Sequence, residues 1–218
     1  DEKPGWEDVL DWSHHGNIGE FNSGDKIPTG EPGSDDRGLR LYGEYERGKA
    51  LGYFIMPSDE LELDAGAVSF WMMVDASTSV KRGAILSSAR DGKRRGISVG
   101  VSKNGKIELE TTFGKRLKAG DIPAGEWVHV AWSFDATSQV LYINGERRDQ
   151  SSDKARLDGG AGLFVGHDGS NWDRARTGGG AFSGAIEDLR IYGRKRTDFP
   201  GDRKSTRLNS SHRIRTSM

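Results

Sequence analysis

Oxygen-bearing side chains occur at two places in this sequence where a cation could bind. Asp11 and Asn17 lie in a polar stretch near the amino terminus, and Glu187 and Asp188 adjoin each other in an apolar stretch near the end of the chain. Calcium takes about six to eight oxygen ligands from carboxylates, amides and backbone carbonyls. Each of the two places offers oxygen atoms of the kind that calcium prefers. The alternative is a solvated loop and a pair of strand carboxylates with no metal.

A second group of side chains is suited to binding a sugar. Trp172 lies in a polar, glycine-rich stretch, residues 167–180, and Trp12 stands beside His14 and His15. Sugar rings present apolar C–H faces and many hydroxyls, so an exposed aromatic ring with a few fixed polar groups recognises them. The alternative is that Trp172 folds back over the edge of the fold. The polar neighbours of Trp172 are Asp168, Asn171, Asp173, Arg174 and Arg176.

The element that organises the chain is a strand pair within residues 126–148. Val128, Val130, Trp132 and Phe134 alternate with small or polar residues, which predicts a strand with one buried face. We therefore place Trp132 in the core, together with Trp71 and Trp127. We interpret His129, which has no implied serine or carboxylate partner, as a hydrogen-bonded structural histidine.

Turn residues and strand spacing predict three further features. Asn144-Gly145 and Asn104-Gly105 each suit a type I′ hairpin turn, because both residues tolerate a positive φ. Ile186 and Leu189 both resemble core residues although they are three apart, so we expect a β-bulge at Glu187-Asp188. Residues 38–45 and 52–56 read as a strand pair. Residues 1–38 read as a long loop.

Composition and charge exclude several classes of protein. With 218 residues and 31 glycines, the chain suits one turn-rich β-sandwich. A formal net charge of −1 gives no general attraction to nucleic acid. No apolar run approaches the ~20 residues that span a membrane. The absence of cysteine excludes thiol catalysis, disulfides and cysteine-based zinc sites.

Three blocks of sequence resemble the laminin G-like jelly rolls of the concanavalin A-like lectin and glucanase superfamily. They are residues 65–77, the segment WVHVA with the later LYING, and FSGAIEDLRIYGRKRT at 182–197. The resemblance implies an all-β, two-sheet antiparallel sandwich. DWSHHGNIGEF, residues 11–21, also resembles a stretch that takes part in a calcium site in similar domains. It implies that Asp11 and Asn17 approach Glu187 and Asp188, although the family's Asp-Glu order is Glu-Asp here.

A hydrolase site is a third hypothesis. Some relatives with this architecture are retaining glycosidases that carry E-x-D-x-E on one strand, and Glu60, Glu62 and Asp64 have the same spacing in another order. Alternate strand residues share a face about 6.6 Å apart, which suits a paired acid and nucleophile. The alternative is a solvated face with Leu61 and Leu63 directed inward, and we favour a protein that is not an enzyme.

The sequence thus predicts one laminin G-like domain over residues 1–201, with a loop-rich segment at 1–38. Residues 202–218 resemble a translated sequencing adapter and are expected to be an unstructured artefact. We expect a piece of a larger bacterial protein that is extracellular, periplasmic or on the cell surface. The predicted partner is a polysaccharide or other glycan. The alternative is a module that binds an extracellular protein or only spaces domains.

Overall fold

The computed structural model describes the strands of the chain and most of its central and carboxy-terminal parts. Side chains are described at Leu41 and from residue 61 onward within the described stretches. The described stretches are 8–10, 18–22, 30–31, 38–42, 44–46, 49–51, 53–56, 61–75, 83–88, 97–102, 105–111, 115–158, 163–167 and 182–199.

All regular elements of these stretches are β-strands. In chain order they are β1 Asp8–Leu10, β2 Ile18–Asn22, β3 Gly30–Glu31, β4 Gly38–Tyr42, β5 Glu44–Glu46, β6 Lys49–Leu51, β7 Tyr53–Met56, β8 Glu62–Leu63, β9 Gly66–Val74, β10 Gly83–Ser88, β11 Ile97–Val101, β12 Lys106–Thr111, β13 Leu117–Asp121, β14 Trp127–Phe134, β15 Gln139–Ile143, β16 Glu146–Ser151, β17 Leu157–Asp158, β18 Leu163–Val165 and β19 Ser183–Tyr192.

Two large antiparallel sheets form a sandwich, as predicted. The eight-stranded sheet has the order β1-β2-β7-β18-β10-β11-β12-β13. The seven-stranded sheet has the order β16-β15-β14-β9-β19-β4-β3. The pairs β5-β6 and β8-β17 form two small additional sheets. Across the part of the chain that the structure describes, no helix has the length and apolar character needed to cross a membrane.

The core lies between the two large sheets and follows the period-two pattern of the strands. In the seven-stranded sheet, Val68, Phe70 and Met72 of β9 face the core, as do alternate residues of β14 beginning at Val128. Trp132 lies in this core as predicted. Its ring stacks on that of Phe134 at 4.1 Å, and its Nε1 donates a hydrogen bond to Gln139 Oε1 at 3.3 Å. The eight-stranded sheet contributes mainly aliphatic side chains to the same core.

The prediction of one buried face for β14 was incomplete, because both faces are buried. His129, Ala131 and Ser133 lie on the face opposite the core, yet each is as inaccessible as the core residues. Phe199 packs on this outer face in a second cluster with Ala67, Ala131 and Tyr142. The period-two pattern identifies which residues share a face, but it does not show what later part of the chain covers that face.

Two other predictions about the first third of the chain were wrong. Residues 1–38 are not a continuous loop, because β1 and β3 are edge strands of the two large sheets and β2 lies between β1 and β7. Residues 38–45 and 52–56 do not pair with each other. Instead β4 pairs with β19 and β7 pairs with β18, in different sheets. The β5-β6 hairpin lies between β4 and β7 in the chain. Because β4 and β7 are in different sheets, they belong to opposite layers of the sandwich.

The predicted turn and bulge geometries are confirmed where the structure describes them. Asn144 and Gly145 have φ values of 52° and 78° and join β15 to β16. Gly105 has φ 71° in the β11-β12 hairpin, and Asn104 lies outside the described residues. The register of β19 against β9 shifts between Glu187 and Arg190. This bulge lets Ile186 and Leu189 both contact the core.

Candidate functional site

The two described ends that flank the predicted sugar-binding loop lie side by side. Phe182 N donates to Gly166 O at 2.9 Å. Ser87 Oγ donates to the carbonyl of His167 at 2.8 Å, and His167 and Phe182 are both buried. We call Gly166, His167 and Phe182 the loop base. The hydrogen bond from Ser87 of β10 and the one between Phe182 and Gly166 fix the position of the loop base.

The side chains of that loop lie outside the described residues. They are Asp168, Asn171, Trp172, Asp173, Arg174 and Arg176. Trp12, Asp11 and Asn17 also lie outside them. Their roles in ligand or metal binding therefore stay predictions from the sequence.

The strands do show where the two tryptophan-bearing loops begin. β2 and β18 run in the same direction, because each pairs antiparallel with β7, and Glu20 and Phe164 both lie opposite Ile55. The loop with Trp12 precedes β2, whereas the loop with Trp172 follows β18. The described strand ends that carry these loops therefore lie at opposite ends of the eight-stranded sheet.

Two members of the predicted calcium set are described, and their side chains have different surroundings. Glu187 is buried, whereas Asp188 is exposed with a φ of 54° at the bulge. Asp188 Oδ1 accepts a hydrogen bond from Arg190 Nε at 2.7 Å, and this contact raises the pKa of Arg190. The two adjacent carboxylates thus differ in exposure, and Asp188 is paired with Arg190.

Within the described stretches, no group of three or more His, Cys, Asp or Glu side chains is placed to hold a metal. The other two predicted ligands, Asp11 and Asn17, lie outside these stretches, so calcium binding stays a prediction.

The outer face of the seven-stranded sheet carries a row of side chains with functional groups that could bind a ligand. His129, Trp71 and Glu187 are direct cross-strand neighbours on β14, β9 and β19. The rings of Trp71 and His129 lie 5.2 Å apart and are tilted by 52°. We call these three residues the outer row. The row combines an indole, an imidazole and a carboxylate, and all three side chains are buried.

The turn between β15 and β16 supports the outer row. Asn144 Oδ1 accepts a hydrogen bond from the backbone N–H of His129 at 2.8 Å. The backbone N–H of Asn144 donates to His129 O, also at 2.8 Å. The left-handed conformation of Asn144 therefore serves both the chain reversal and the position of His129.

The segment after β19 covers part of this face. We call residues 193–199 the closing strap. Phe199 is its buried side chain, and the Phe199 ring lies 5.4 Å from Tyr142, 6.1 Å from His129 and 6.4 Å from Tyr192. Arg196 N donates to Ser133 Oγ at 3.1 Å, which fixes the strap above β14.

The closing strap is also tied to the β14-β15 turn through an ion pair. Lys195 Nζ lies 2.7 Å from Asp135 Oδ2 and 2.7 Å from Ser138 Oγ. Asp135 Oδ1 accepts hydrogen bonds from the backbone N–H groups of Thr137 and Ser138, both at 2.8 Å. The bond from Lys195 and those from Thr137 hold the pKa of Asp135 well below its usual range.

The structure places Trp71 differently from the prediction. Trp71 is buried, but it lies on the outer face and not in the core between the sheets. The sequence contained a signal for this, because Phe70 and Trp71 are adjacent in one strand and must face opposite sides. Glu187 was predicted as a metal ligand, and its position beside Trp71 depends on the pairing of β19 with β9, which the sequence does not reveal.

The described carboxylates of the hydrolase hypothesis are Glu62, in β8, and Asp64, just after it. Glu62 and Asp64 are exposed, and Glu60 lies outside the described residues. Glu62 Oε1 is 3.8 Å from Arg156, whereas Leu61 and Leu63 pack against the core. This is the amphipathic edge that the alternative interpretation predicts.

The fold is a two-sheet antiparallel β-sandwich of concanavalin A-like type. The family model of a laminin G domain, described as concanavalin A-like lectin/glucanases superfamily, matches residues 49–198. The chain belongs to this family.

Solved structures with the same fold share little sequence with this chain. The domain 4 structure of a GH43 extracellular arabinanase from Geobacillus stearothermophilus, in complex with arabinotriose, has a TM-score of 0.58 at 17% identity and covers 87% of each chain. A heptameric pentraxin from Limulus polyphemus has a TM-score of 0.55 at 14% identity, covering 78% of this chain and 80% of the pentraxin.

A third structure, the binding domain of Paraclostridial Mosquitocidal Protein 1, has a TM-score of 0.65 at 15% identity. The match covers 93% of this chain but only 49% of that domain. These likenesses concern the fold.

Proposed function

We propose that this chain is a non-catalytic carbohydrate-recognition module of a larger extracellular, periplasmic or cell-surface protein. Its main contact with the glycan is the loop that contains Trp172. The indole provides a face for the C–H surface of a sugar ring. The neighbouring Asp168, Asn171, Asp173 and Arg174 provide hydrogen bonds to hydroxyls.

The observation that carries this proposal is the closed loop base. Binding residues are often found on loops that a rigid scaffold positions. Here the hydrogen bond between Phe182 N and Gly166 O closes the base, and the buried His167 carbonyl is held by Ser87. The scaffold thus holds both ends of a polar, glycine-rich loop that contains one large aromatic residue.

The likeness to the arabinanase domain supports a glycan as the partner, because that structure is a complex with arabinotriose. The likeness concerns the whole fold and not matched binding residues. The class of sugar is therefore left to a screen that includes arabinans among other plant and microbial polysaccharides.

The test is a binding screen of the whole chain against soluble and insoluble polysaccharides, with calcium and with a chelator. We expect wild-type protein to bind at least one glycan, Trp172→Ala to abolish that binding, and Trp172→Phe to retain part of it because an aromatic face remains. Trp12→Ala tests the second candidate separately. Folded wild-type protein that binds no glycan would contradict the proposal and favour a protein-adhesion or spacer module.

The same proposal includes a calcium ion with a structural role. Asp11, Asn17, Glu187 and Asp188 are the proposed source of oxygen ligands, which a hard cation prefers. The chelator arm of the screen tests whether glycan binding depends on the ion.

A further inference from the structure

The loop that contains Trp172 connects the two large sheets. It follows β18, which belongs to the eight-stranded sheet, and precedes β19, which belongs to the seven-stranded sheet. The layers of a sandwich are joined by side-chain packing, and no ladder of backbone hydrogen bonds runs between them. The relative position of the two ends of this loop therefore depends on contacts outside the sheet ladders.

The end that enters the loop is attached to β10 of the eight-stranded sheet. Gly166 N donates to Ile85 O at 2.8 Å, and Ser87 Oγ donates to His167 O, also at 2.8 Å. Ser87 and His167 are both buried. Loss of the donor to a buried carbonyl is costly, because that carbonyl has given up its hydrogen bonds to water. The Ser87 hydroxyl is thus an anchor for the entering end.

The end that returns from the loop is attached to β9 of the seven-stranded sheet. Asp75 directly follows β9, and its backbone N–H donates to Ser183 O at 3.2 Å. Ser183 Oγ donates in turn to Asp75 Oδ2 at 3.4 Å. Ser183 is buried and is the first residue of β19. Asp75 therefore anchors the returning end through both its backbone and its side chain.

A hydrogen bond between the two ends completes the arrangement. Phe182 N donates to Gly166 O at 2.9 Å, and each of these residues adjoins the residue that its own sheet holds. The ends are therefore bound to each other, to β10 through Ser87 and to β9 through Asp75. A loop whose ends are fixed before binding loses less conformational entropy when a ligand orders it.

We propose that Ser87 and Asp75 are positioning residues of the glycan site, which hold the two ends of the Trp172 loop to different sheets and thereby raise its affinity for the glycan. The proposal rests on the proposed carbohydrate-recognition function and assigns to it two residues outside the loop. Neither residue needs to contact the sugar, because each acts through a described end of the loop. Without an anchor, fewer molecules hold the loop in its binding conformation, and the apparent affinity falls by that fraction.

The first test compares whole-chain Ser87→Ala with Ser98→Ala. Ser98 is the control because it lies directly opposite Ser87 on β11. The readouts are affinity for soluble arabinan and the other soluble polysaccharides of the screen, and hydrogen exchange at the Phe182 amide. We expect Ser87→Ala to weaken binding and to speed this exchange, each by about threefold to tenfold, while exchange in β14 is unchanged. Ser98→Ala should change neither readout.

The second test compares Asp75→Ala with Asp75→Asn. Asp75→Ala removes the acceptor of the Ser183 hydroxyl and should weaken binding by about threefold to tenfold, whereas Asp75→Asn retains an oxygen and should stay within about twofold of wild type. Affinities are measured where urea unfolding shows each variant to be fully folded, so a loss of global stability alone would not change them. Because Asp75 is half-buried, this pair also tests the proposal if Ser87→Ala does not fold.

The outcomes separate this proposal from the proposed function. Wild-type binding that depends on Trp172 but is unchanged in folded Ser87→Ala and Asp75→Ala would overturn the positioning role and leave the function standing. An equal loss in Ser98→Ala would also overturn the role. If wild-type protein binds no glycan, the proposed function fails and exchange at Phe182 decides about the anchors. Faster exchange in Ser87→Ala would then support them, and unchanged exchange would overturn them.

Discussion

Glycines with tightly packed surroundings show how single residues determine local structure. Gly184 is the second residue of β19, where a Cβ atom would meet the backbone carbonyl of Met73 and the ring of Phe182. Gly66 and Gly100 are also tightly enclosed, with a backbone oxygen 2.7 Å from the position of a Cβ atom. These glycines are required because neighbouring strands approach closely, which is a property of the sheet and not of a turn.

We predict that Gly184→Ala lowers the free energy of unfolding by at least about 2 kcal/mol, because the backbone must shift to accept the methyl group. Gly120→Ala is the matched control, since nothing lies within 4 Å of its added Cβ atom. Its effect should stay within about 0.5 kcal/mol. Urea unfolding of both variants measures the difference. Equal stabilities would contradict the geometry at Gly184.

Asp135 gives a pH-dependent prediction. Its pKa is lower in the folded state, chiefly because of the hydrogen bond from Lys195. Its contribution to stability is therefore present above the unfolded pKa of about 3.9 and is lost as the pH falls through the folded value. Asp135→Asn should cost about 0.5–1 kcal/mol at neutral pH and progressively less below about pH 4.

The measurement is urea unfolding of wild type and Asp135→Asn at neutral and acidic pH. Asp198→Asn serves as the control, because that side chain is 87% exposed and lies 3.4 Å from Arg196. A difference between wild type and Asp135→Asn that grows as the pH falls would have the wrong sign for this explanation.

At the scale of elements, side chains from one sheet protect an edge of the other. β13 is the last strand of the eight-stranded sheet and lies beside β16 of the seven-stranded sheet. The backbone N–H of Lys118 donates to Asp149 Oδ2 at 2.9 Å, and that of Lys115 donates to Asp153 Oδ2 at 2.7 Å. Unpaired N–H groups on an edge strand invite pairing with another chain. The carboxylates of Asp149 and Asp153 accept hydrogen bonds from these N–H groups, so the groups are not available to another chain.

We predict that Asp149→Ala lowers stability by about 1 kcal/mol and increases self-association, because the Lys118 N–H loses its acceptor. Asp149→Asn should behave more like wild type, since an amide oxygen can still accept the bond. Hydrogen exchange at Lys118 and light scattering over a range of protein concentrations measure the two effects. Protection of Lys118 that survives in Asp149→Ala would show that another group seals the edge.

At the scale of the whole molecule, the described strands that flank the candidate stretches belong to different parts of the sandwich. The start of β2, which follows the Trp12 stretch, and the end of β18, which precedes the Trp172 stretch, lie at opposite ends of the eight-stranded sheet. The outer row lies on the far side of the seven-stranded sheet. A calcium site that joins Asp11 and Asn17 to Glu187 and Asp188 would link the amino-terminal segment to β19, so binding should stabilise the whole fold.

We predict that millimolar calcium raises the thermal unfolding temperature relative to a chelator. Saturation at a hundredfold excess over Kd adds about 2.7 kcal/mol, because the ion binds only the folded chain. Asp11→Asn should remove the effect, whereas Asn substitution of the exposed Asp64 should not. Thermal scans of the three proteins measure this. Identical unfolding temperatures with calcium and with chelator would end the calcium hypothesis.

The sequence by itself determined the features that depend on near neighbours in the chain. Alternating apolar residues predicted β14, and Asn144-Gly145 predicted the turn between β15 and β16. The spacing of Ile186 and Leu189 predicted the bulge in β19. Each is confirmed because strand pleat and turn conformation follow from local geometry. Three blocks in family order were also sufficient to identify the laminin G-like fold.

Only the tertiary structure decided which strands pair and what covers each face. It placed β4 and β7 in different sheets, aligned Glu187 with Trp71, and seated Phe199 over His129. These contacts join residues far apart in the chain, and no local pattern encodes them. A period of two identifies two faces of a strand but does not distinguish an outer face open to solvent from one closed by a distant segment.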